Sequence, residues 1–173
     1  NSVLDFFGLI SNYEIQLKKH FRSYPEMISF SSKYFYDNSL QVMKIRSKPV
    51  DEIIKFNFIK HDGLLDIEKN TNKLESEYII NQLEIILNDE NPKSVGIITP
   101  HTEQQSYLST KIHNHKNSDQ IFNKLKLKIM TFDTCQGEER DIIFYSLVAT
   151  NEKDRLSYIF PKDLINKTED EID

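Results

Sequence analysis

Hydrophobic positions recur at helical spacing through Leu74, Tyr78, Ile79, Leu83, Ile86 and Leu87. The pattern predicts an amphipathic helix that ends near Asn88 and Pro92 and turns its apolar stripe to a core. The run Val95 to Ile98 is short and apolar, and Thr99-Pro100 stops it as it would a buried strand, because proline cannot extend a central ladder. A helix is expected from about Thr102 to Ile112. Leu127 to Phe132 and Asp141 to Val148 are two further apolar runs of strand length, with Cys135-Gln136-Gly137 as the turn between them. Helix, strand, helix, strand in this order implies right-handed crossovers on a mainly parallel sheet with helices on both faces, an α/β layer fold.

The first forty residues read as helices from Val3 to Ile10 and from Tyr13 to Lys19, and Pro25 opens a third around Met27 to Tyr34, since proline suits a helix start. Ile53, Phe56 and Phe58 suggest one strand within Lys44 to Lys60, and Lys60 to Asn72 is polar enough for a loop. One domain is expected, with a helical entry over 1–40, a variable strand and loop region over 41–73, an α/β core over 74–150 and a tail over 151–173.

At 173 residues and 38% hydrophobic content, the chain has enough apolar surface to bury the core of one domain. No stretch approaches the roughly 20 apolar residues of a membrane span, and no basic-then-apolar leader opens the sequence. A cytoplasmic protein with no membrane partner is expected. Cys135 is the only cysteine, which excludes an intramolecular disulfide, and no Cys/His set has zinc-site spacing, so no metal site is expected. His113 and His115 flank Asn114 on a helix and point to different sides, which favours solvent over a metal. The net charge of −5 argues against a surface that attracts phosphate everywhere. A local patch remains open, because Lys111, Lys116, Lys124, Lys126 and Lys128 cluster and the last three alternate toward a strand. A solvated helix face and an acidic tail account for the same charges.

In parallel α/β sheets ligands bind beyond the carboxyl ends of the strands. Three segments answer to that position or feed it. In His20-Phe21-Arg22-Ser23-Tyr24-Pro25 an aromatic ring stands beside a guanidinium ahead of a helix start. A ring stacks on a base, and an arginine fork grips a phosphate oxygen whose charge grows during transfer. A core phenylalanine beside a surface cation fits the segment as well. Thr99-Pro100-His101-Thr102-Glu103-Gln104 closes a strand and opens a helix, a corner suited to a backbone phosphate or simply to helix capping. Thr131 to Asp141 is a polar loop with a flexible glycine between two buried strands. Its carboxylates suit a ribose hydroxyl, or pair among themselves in a solvated turn.

In this order and spacing the three segments resemble the second RecA-like motor domain of superfamily 1 helicases, in the branch of the nonsense-mediated-decay helicase and the Dna2-like enzymes. The resemblance rests on LKKHFRSYPEMISFSSKYFYDNSL (Leu17 to Leu40), SVGIITPHTEQQSYL (Ser94 to Leu108) and IMTFDTCQGEERDIIFYSLV (Ile129 to Val148), and covers roughly Ser2 to Thr150. It implies a RecA-like, P-loop-NTPase-type domain, although no Gly-rich phosphate loop occurs in the chain. It also implies Arg22 as an arginine finger, Phe21 in place of the family's tyrosine against the adenine, and Gly137 and Glu139 near the nucleotide. Glu138 stands where a basic residue is usual. Family contacts to a single strand fall on Thr99, Pro100, His101, Thr131 and Asp133. ATP and Mg2+ are expected in a longer parent protein, held mainly by a first RecA-like domain that would be a partner in the same chain. The isolated segment is expected to bind neither alone and to hydrolyse nothing. The other partner is single-stranded DNA or RNA, and the alternative is a catalytically inactive helicase-like scaffold. The tail around Tyr158 to Pro161 resembles that of bacterial multidomain helicases fused to a nuclease-like domain.

Overall fold

The computed structural model describes residues 3–13, 15, 17–45, 49–60 and 70–149, so the tail over 151–173 and most of the loop expected from Lys60 to Asn72 lie outside the described residues. The chain divides into a first unit over 1–57 and a second over 58–173.

The first unit contains α1 (Val3–Ile10), β1 (Lys19–His20), α2 (Pro25–Phe35), β2 (Gln41–Val42) and α3 (Val50–Ile53). Pro25 opens α2 as expected. The helix expected from Tyr13 to Lys19 is not formed at the described positions. The Ser11 hydroxyl donates to the Tyr13 carbonyl at 2.6 Å and accepts from the Tyr13 amide, giving the backbone a turn in place of a helix. Lys19 and His20 are drawn instead into a parallel pair with Gln41 and Val42. The strand expected around Ile53 to Phe58 is also absent. Pro49 leads into α3, whose first turn carries Asp51 and Glu52 at the positive end of the helix, and Phe56 and Phe58 beyond it are exposed.

The second unit holds α4 (Lys73–Leu87), β3 (Val95–Thr99), α5 (Thr102–His113), α6 (Ser118–Lys124), β4 (Lys128–Thr131) and β5 (Ile142–Tyr145). Asn72 caps α4 by accepting from the Glu75 amide at 3.0 Å. The three strands are parallel in the order β4-β3-β5, with Gly96 beside Lys128, Thr99 beside Thr131 and Val95 beside Ile142. Val95 and Ile97 turn to one face of β3 and join Ile79, Leu83, Leu87, Leu108, Ile112, Ile121 and Leu125 in the core. Leu83, Ile97, Leu108, Ile112, Ile121 and Leu125 are 0% exposed. Each is worth about 1.5–3 kcal/mol of apolar burial, so this cluster dominates the unit's stability. The sequence reading did not find α6; only Ile121 and the following Leu125 are buried there, too few positions to display a period.

Lys124, Lys126 and Lys128 do not alternate along one strand. Lys124 ends α6, Lys126 turns the chain with a φ of 45°, and only Lys128 lies in β4. From β4 the chain crosses to the far side of β3, and Arg140 passes close over Gly96. A Cβ on Gly96 would stand 2.8 Å from Ile143 Cδ1, 3.2 Å from Met130 Cε and 3.3 Å from Arg140 Cγ. The two nearest atoms are ends of flexible side chains, so Gly96→Ala should be absorbed by small rotations. Gly96→Val, branched at Cβ, is expected to cost about 1–3 kcal/mol by overpacking. Urea unfolding midpoints of the two variants check this, and equal midpoints would count against a close crossing at Gly96.

Candidate functional site

In the first unit, pairing with β2 fixes the strand that leads to Phe21 and Arg22. The Gln41 amide donates to the Lys18 carbonyl at 2.7 Å, and the Met43 amide to the His20 carbonyl at 2.8 Å. The chain then turns sharply: the Ser23 amide donates to His20 Nε2 at 2.9 Å. Lys44 Nζ donates to the Arg22 carbonyl at 3.2 Å and lies 4.8 Å from the centre of the Tyr24 ring, holding the turn from outside. The Phe21 ring is 66% exposed, which removes the reading of Phe21 as a core residue. It lines an open depression of about 570 Å³ with Leu17, Lys18, Lys19 and Gln41, and Arg22 next to it is exposed. An apolar ring face flanked by cations is suited to a planar, anionic ligand.

In the second unit, register places the carboxyl ends of β3 and β4 side by side, with Thr99 opposite Thr131. Neither hydroxyl is presented openly. Thr99 is 0% exposed and accepts from the His101 amide at 3.4 Å, while His101 is itself buried. The Thr131 hydroxyl lies 3.1 Å from that of Thr134, whose oxygen also accepts from the Thr131 amide at 2.9 Å. Thr134, which sequence reasoning passed over, is the exposed member of the pair; the spacing T-x-x-T was the available signal. Pro100 is half-buried, and Thr102 and Asp133 are exposed. At the start of α5 the Glu103 carboxylate holds its own amide first of all, with help from Asn70 and Thr102, and these bonds lower its pKa from the ordinary value. A phosphate approaching this helix end therefore meets a carboxylate already seated there.

The loop that follows carries Gly137 at a φ of +81°, in the turn closed by the Glu138 amide on the Cys135 carbonyl. That sign of φ at the third position of a turn calls for glycine. Nothing stands near the site of a Cβ, so the requirement is conformational. Glu138 bridges Lys128 and Arg140, the latter at 3.1 Å, and Lys128 is the first cause of its lowered pKa. The unusual acid in the motif thus pairs with a cation of its own loop, Arg140, and with Lys128 at the start of β4. Glu139 is exposed and Cys135 is half-buried, its thiol directed to the Phe132 carbonyl at 3.2 Å. Of the two histidines on α5 and just after it, His113 is exposed and stacks on Phe122, whereas His115 is half-buried and meets Glu84 at 3.3 Å. Among the described residues no three His, Cys, Asp or Glu side chains converge as a metal site.

Behind the corner lies a polar cluster that the sequence did not reveal. Gln104, 0% exposed, accepts from the Asn72 amide at 2.9 Å and donates to Ser76 Oγ at 3.0 Å and Ser146 Oγ at 2.9 Å. Glu75 accepts from the Val148 amide at 3.1 Å. Burial raises the Glu75 pKa above the ordinary 4.5, and bonds from Val148, Leu147 and Ser146 only partly offset this. A carboxyl raised in the folded state contributes stability that is complete below its unfolded value and lost as pH rises through the folded value. Glu75→Gln should remove that loss. The variant's urea midpoint should gain on the wild type as pH rises above about 4.5, and parallel pH curves would refute the assignment.

The sequence model of a family described as AAA domain matches residues 5–166, nearly the whole chain. The chain belongs to this family, the Upf1-like superfamily 1 helicases. The ATP-dependent helicase upf1 of Schizosaccharomyces pombe is 23% identical over 172 residues, covering 91% of this chain and 18% of that protein. The ATP-dependent helicase NAM7 of Saccharomyces cerevisiae is 26% identical, covering 87% of the chain and 17% of the relative. The uncharacterized ATP-dependent helicase MG140 of Mycoplasma genitalium is 30% identical, covering 85% and 14%. The chain therefore spans less than a fifth of the length of these relatives. Its parallel sheet with packed helices is the layering of a RecA-like, P-loop NTPase-type domain. Within this helicase domain the residues singled out from sequence divide between the two units. Phe21 and Arg22 stand together in the first; Thr99, Pro100, His101, Thr131, Asp133, Gly137 and Glu139 belong to the second, where the ends of β3 and β4 gather the first five. No described helix is long and apolar enough to cross a membrane.

Proposed function

We propose that this segment is the second RecA-like motor domain of an ATP-dependent helicase or translocase that moves along single-stranded DNA or RNA. The observation that carries the reading is the exposed pair Phe21 and Arg22, held on a paired strand and an anchored turn beside Lys18 and Lys19. Phe21 stacks on the adenine, and Arg22 neutralises charge that grows on the γ-phosphate as the bond to the β-phosphate breaks. Gly137 shapes the loop that brings Glu139 toward the nucleotide. Thr99, Pro100, His101, Thr131 and Asp133 form the corner that meets the strand, with Thr134 added as an exposed residue whose hydroxyl is bonded to Thr131. ATP and Mg2+ are held mainly by the first RecA-like domain of the same protein, where the metal would screen the phosphate oxygens. In α1, Val3, Phe6, Phe7, Leu9 and Ile10 are all exposed, which supports an apolar partner surface elsewhere in the intact protein. Closure of the cleft between the two motor domains then changes the grip on the strand.

The test is ATP hydrolysis by the intact protein with and without single-stranded DNA and RNA, each tried separately. Stimulation by either supports the motor and names its track. Strand binding without hydrolysis under both conditions overturns the motor in favour of an inactive helicase-like scaffold.

A further inference from the structure

Three elements that are separate in sequence meet at one buried hydrogen-bonded cluster: the start of α4, the first turn of α5 and the exit of β5. The Asn72 backbone gives both its groups to the Gln104 amide, with the amide nitrogen 3.4 Å from the Asn72 carbonyl, and the Ser76 hydroxyl donates to that same carbonyl at 2.8 Å. Gln104 reaches β5 through Ser146, which is 0% exposed. Two residues later Val148 is buried with a φ of 57°. A β-branched residue in left-handed backbone is strained and persists only where its surroundings hold it. Here the Glu75 carboxylate holds it, through the Val148 amide. The same turn of α5 that supplies Gln104 begins at the Thr99-to-Thr102 corner, so nothing but one helical turn separates the candidate strand contact from the clamp on β5.

We infer that Gln104 is a positioning residue that couples the Thr99–Thr102 corner to the strained exit of β5 through Ser146, so that strand binding at the corner tightens the backbone at 146–148. The inference rests on the strand-binding role proposed above. The coupling has a physical basis in the cluster's geometry. Gln104 has no exposed surface and its amide bonds run to α4 and β5 at once, so a shift of the first turn of α5 cannot occur without stretching a bond to Ser146 or Asn72. The strained residue supplies the second conformation, because Val148 relaxes to ordinary extended backbone once its amide is released.

Hydrogen exchange of the intact protein, read by mass spectrometry with and without oligodeoxythymidylate or oligouridylate, tests this. In the wild type, the oligonucleotide should slow exchange in 99–105 and in 146–148 together. Ser146→Ala removes the link from α5 to β5, together with the Ser146 bond to Glu75, and leaves Gln104 bonded to Asn72 and Ser76 and the Val148 amide bonded to Glu75. It should keep the slowing at 99–105 and lose it at 146–148. Ser146→Thr, which restores a hydroxyl, should recover part of it. If the alanine variant retains slowing at both segments, the coupling is wrong and the cluster only packs the fold. If the wild type shows slowing at the corner alone, the coupling is likewise overturned while strand binding stands. If neither segment responds in the wild type, the strand-binding reading itself falls and takes the inference with it.

Discussion

Replacing Arg22 with alanine in the intact protein is expected to lower strand-stimulated ATP turnover by about 10³ to 10⁵, while nucleotide affinity changes far less. The asymmetry follows from when the charge appears. In the ground state of such a motor the terminal phosphate would already be neutralised by the groups that hold the nucleotide elsewhere in the intact protein, and the arginine would add little to binding. As the transferred group separates, charge collects on its oxygens, and a guanidinium fixed at the right place lowers that state without reorganising. The backbone that carries Arg22 is anchored on both sides, by Ser23 on His20 and by Lys44 on the Arg22 carbonyl. Arg22→Lys should recover little, because a single ammonium lacks the planar fork. Steady-state turnover beside equilibrium binding of a fluorescent nucleotide separates the two effects. A variant with unchanged turnover would remove Arg22 from the catalytic role and leave Phe21 as no more than an exposed ring.

Much of the second unit was legible in the sequence because its elements are long or fully buried. The stripe from Leu74 to Leu87 and the run from Val95 to Ile98 each carried a pattern matching α4 and β3, and Pro100 marked the strand's end. The first unit was harder. A two-residue strand such as Lys19–His20 has no period, and its pairing with Gln41–Val42 is a tertiary event that outweighed the helical reading of Tyr13 to Lys19. Phe56 and Phe58 looked like strand positions because aromatics favour sheets, but they are exposed and no partner strand among the described residues receives them. The candidate site divides in the same way. Thr99, Thr131 and the Phe21-Arg22 pair were visible as residue types beside strand ends. What a sequence does not print is which hydroxyl faces inward, and here Thr99 is buried and Thr131 bonded, while Thr134 is exposed. Glu138 was noticed only as a departure from the family's basic residue. Its bridge between Lys128 and Arg140 explains how an acid is accommodated there.

Gln104 sits beside Gln105 in the sequence, yet the two glutamines have opposite fates, and Gln104→Ala is expected to cost about 3–4 kcal/mol of stability. Gln105 is half-buried and reaches over to the Ile129 carbonyl on β4, at 2.9 Å, beside open solvent. Water can replace that bond, so Gln105→Ala should cost about 1 kcal/mol. Gln104 has no such substitute. Its removal orphans the amide of half-buried Asn72 and leaves the Ser76 and Ser146 hydroxyls, both at positions closed to solvent, without the donor they now share. Each buried polar group left unpaired costs about 1–3 kcal/mol, and relaxation around the vacated volume recovers only part. Gln104→Met, which fills the volume without the bonds, separates the two contributions: it should recover the packing share and leave the polar share. Urea unfolding of the intact protein, followed by a probe within the second unit, gives all three values. If Gln104→Ala cost no more than Gln105→Ala, the cluster would be replaceable by water, and α4, α5 and β5 would be held together by the apolar core alone.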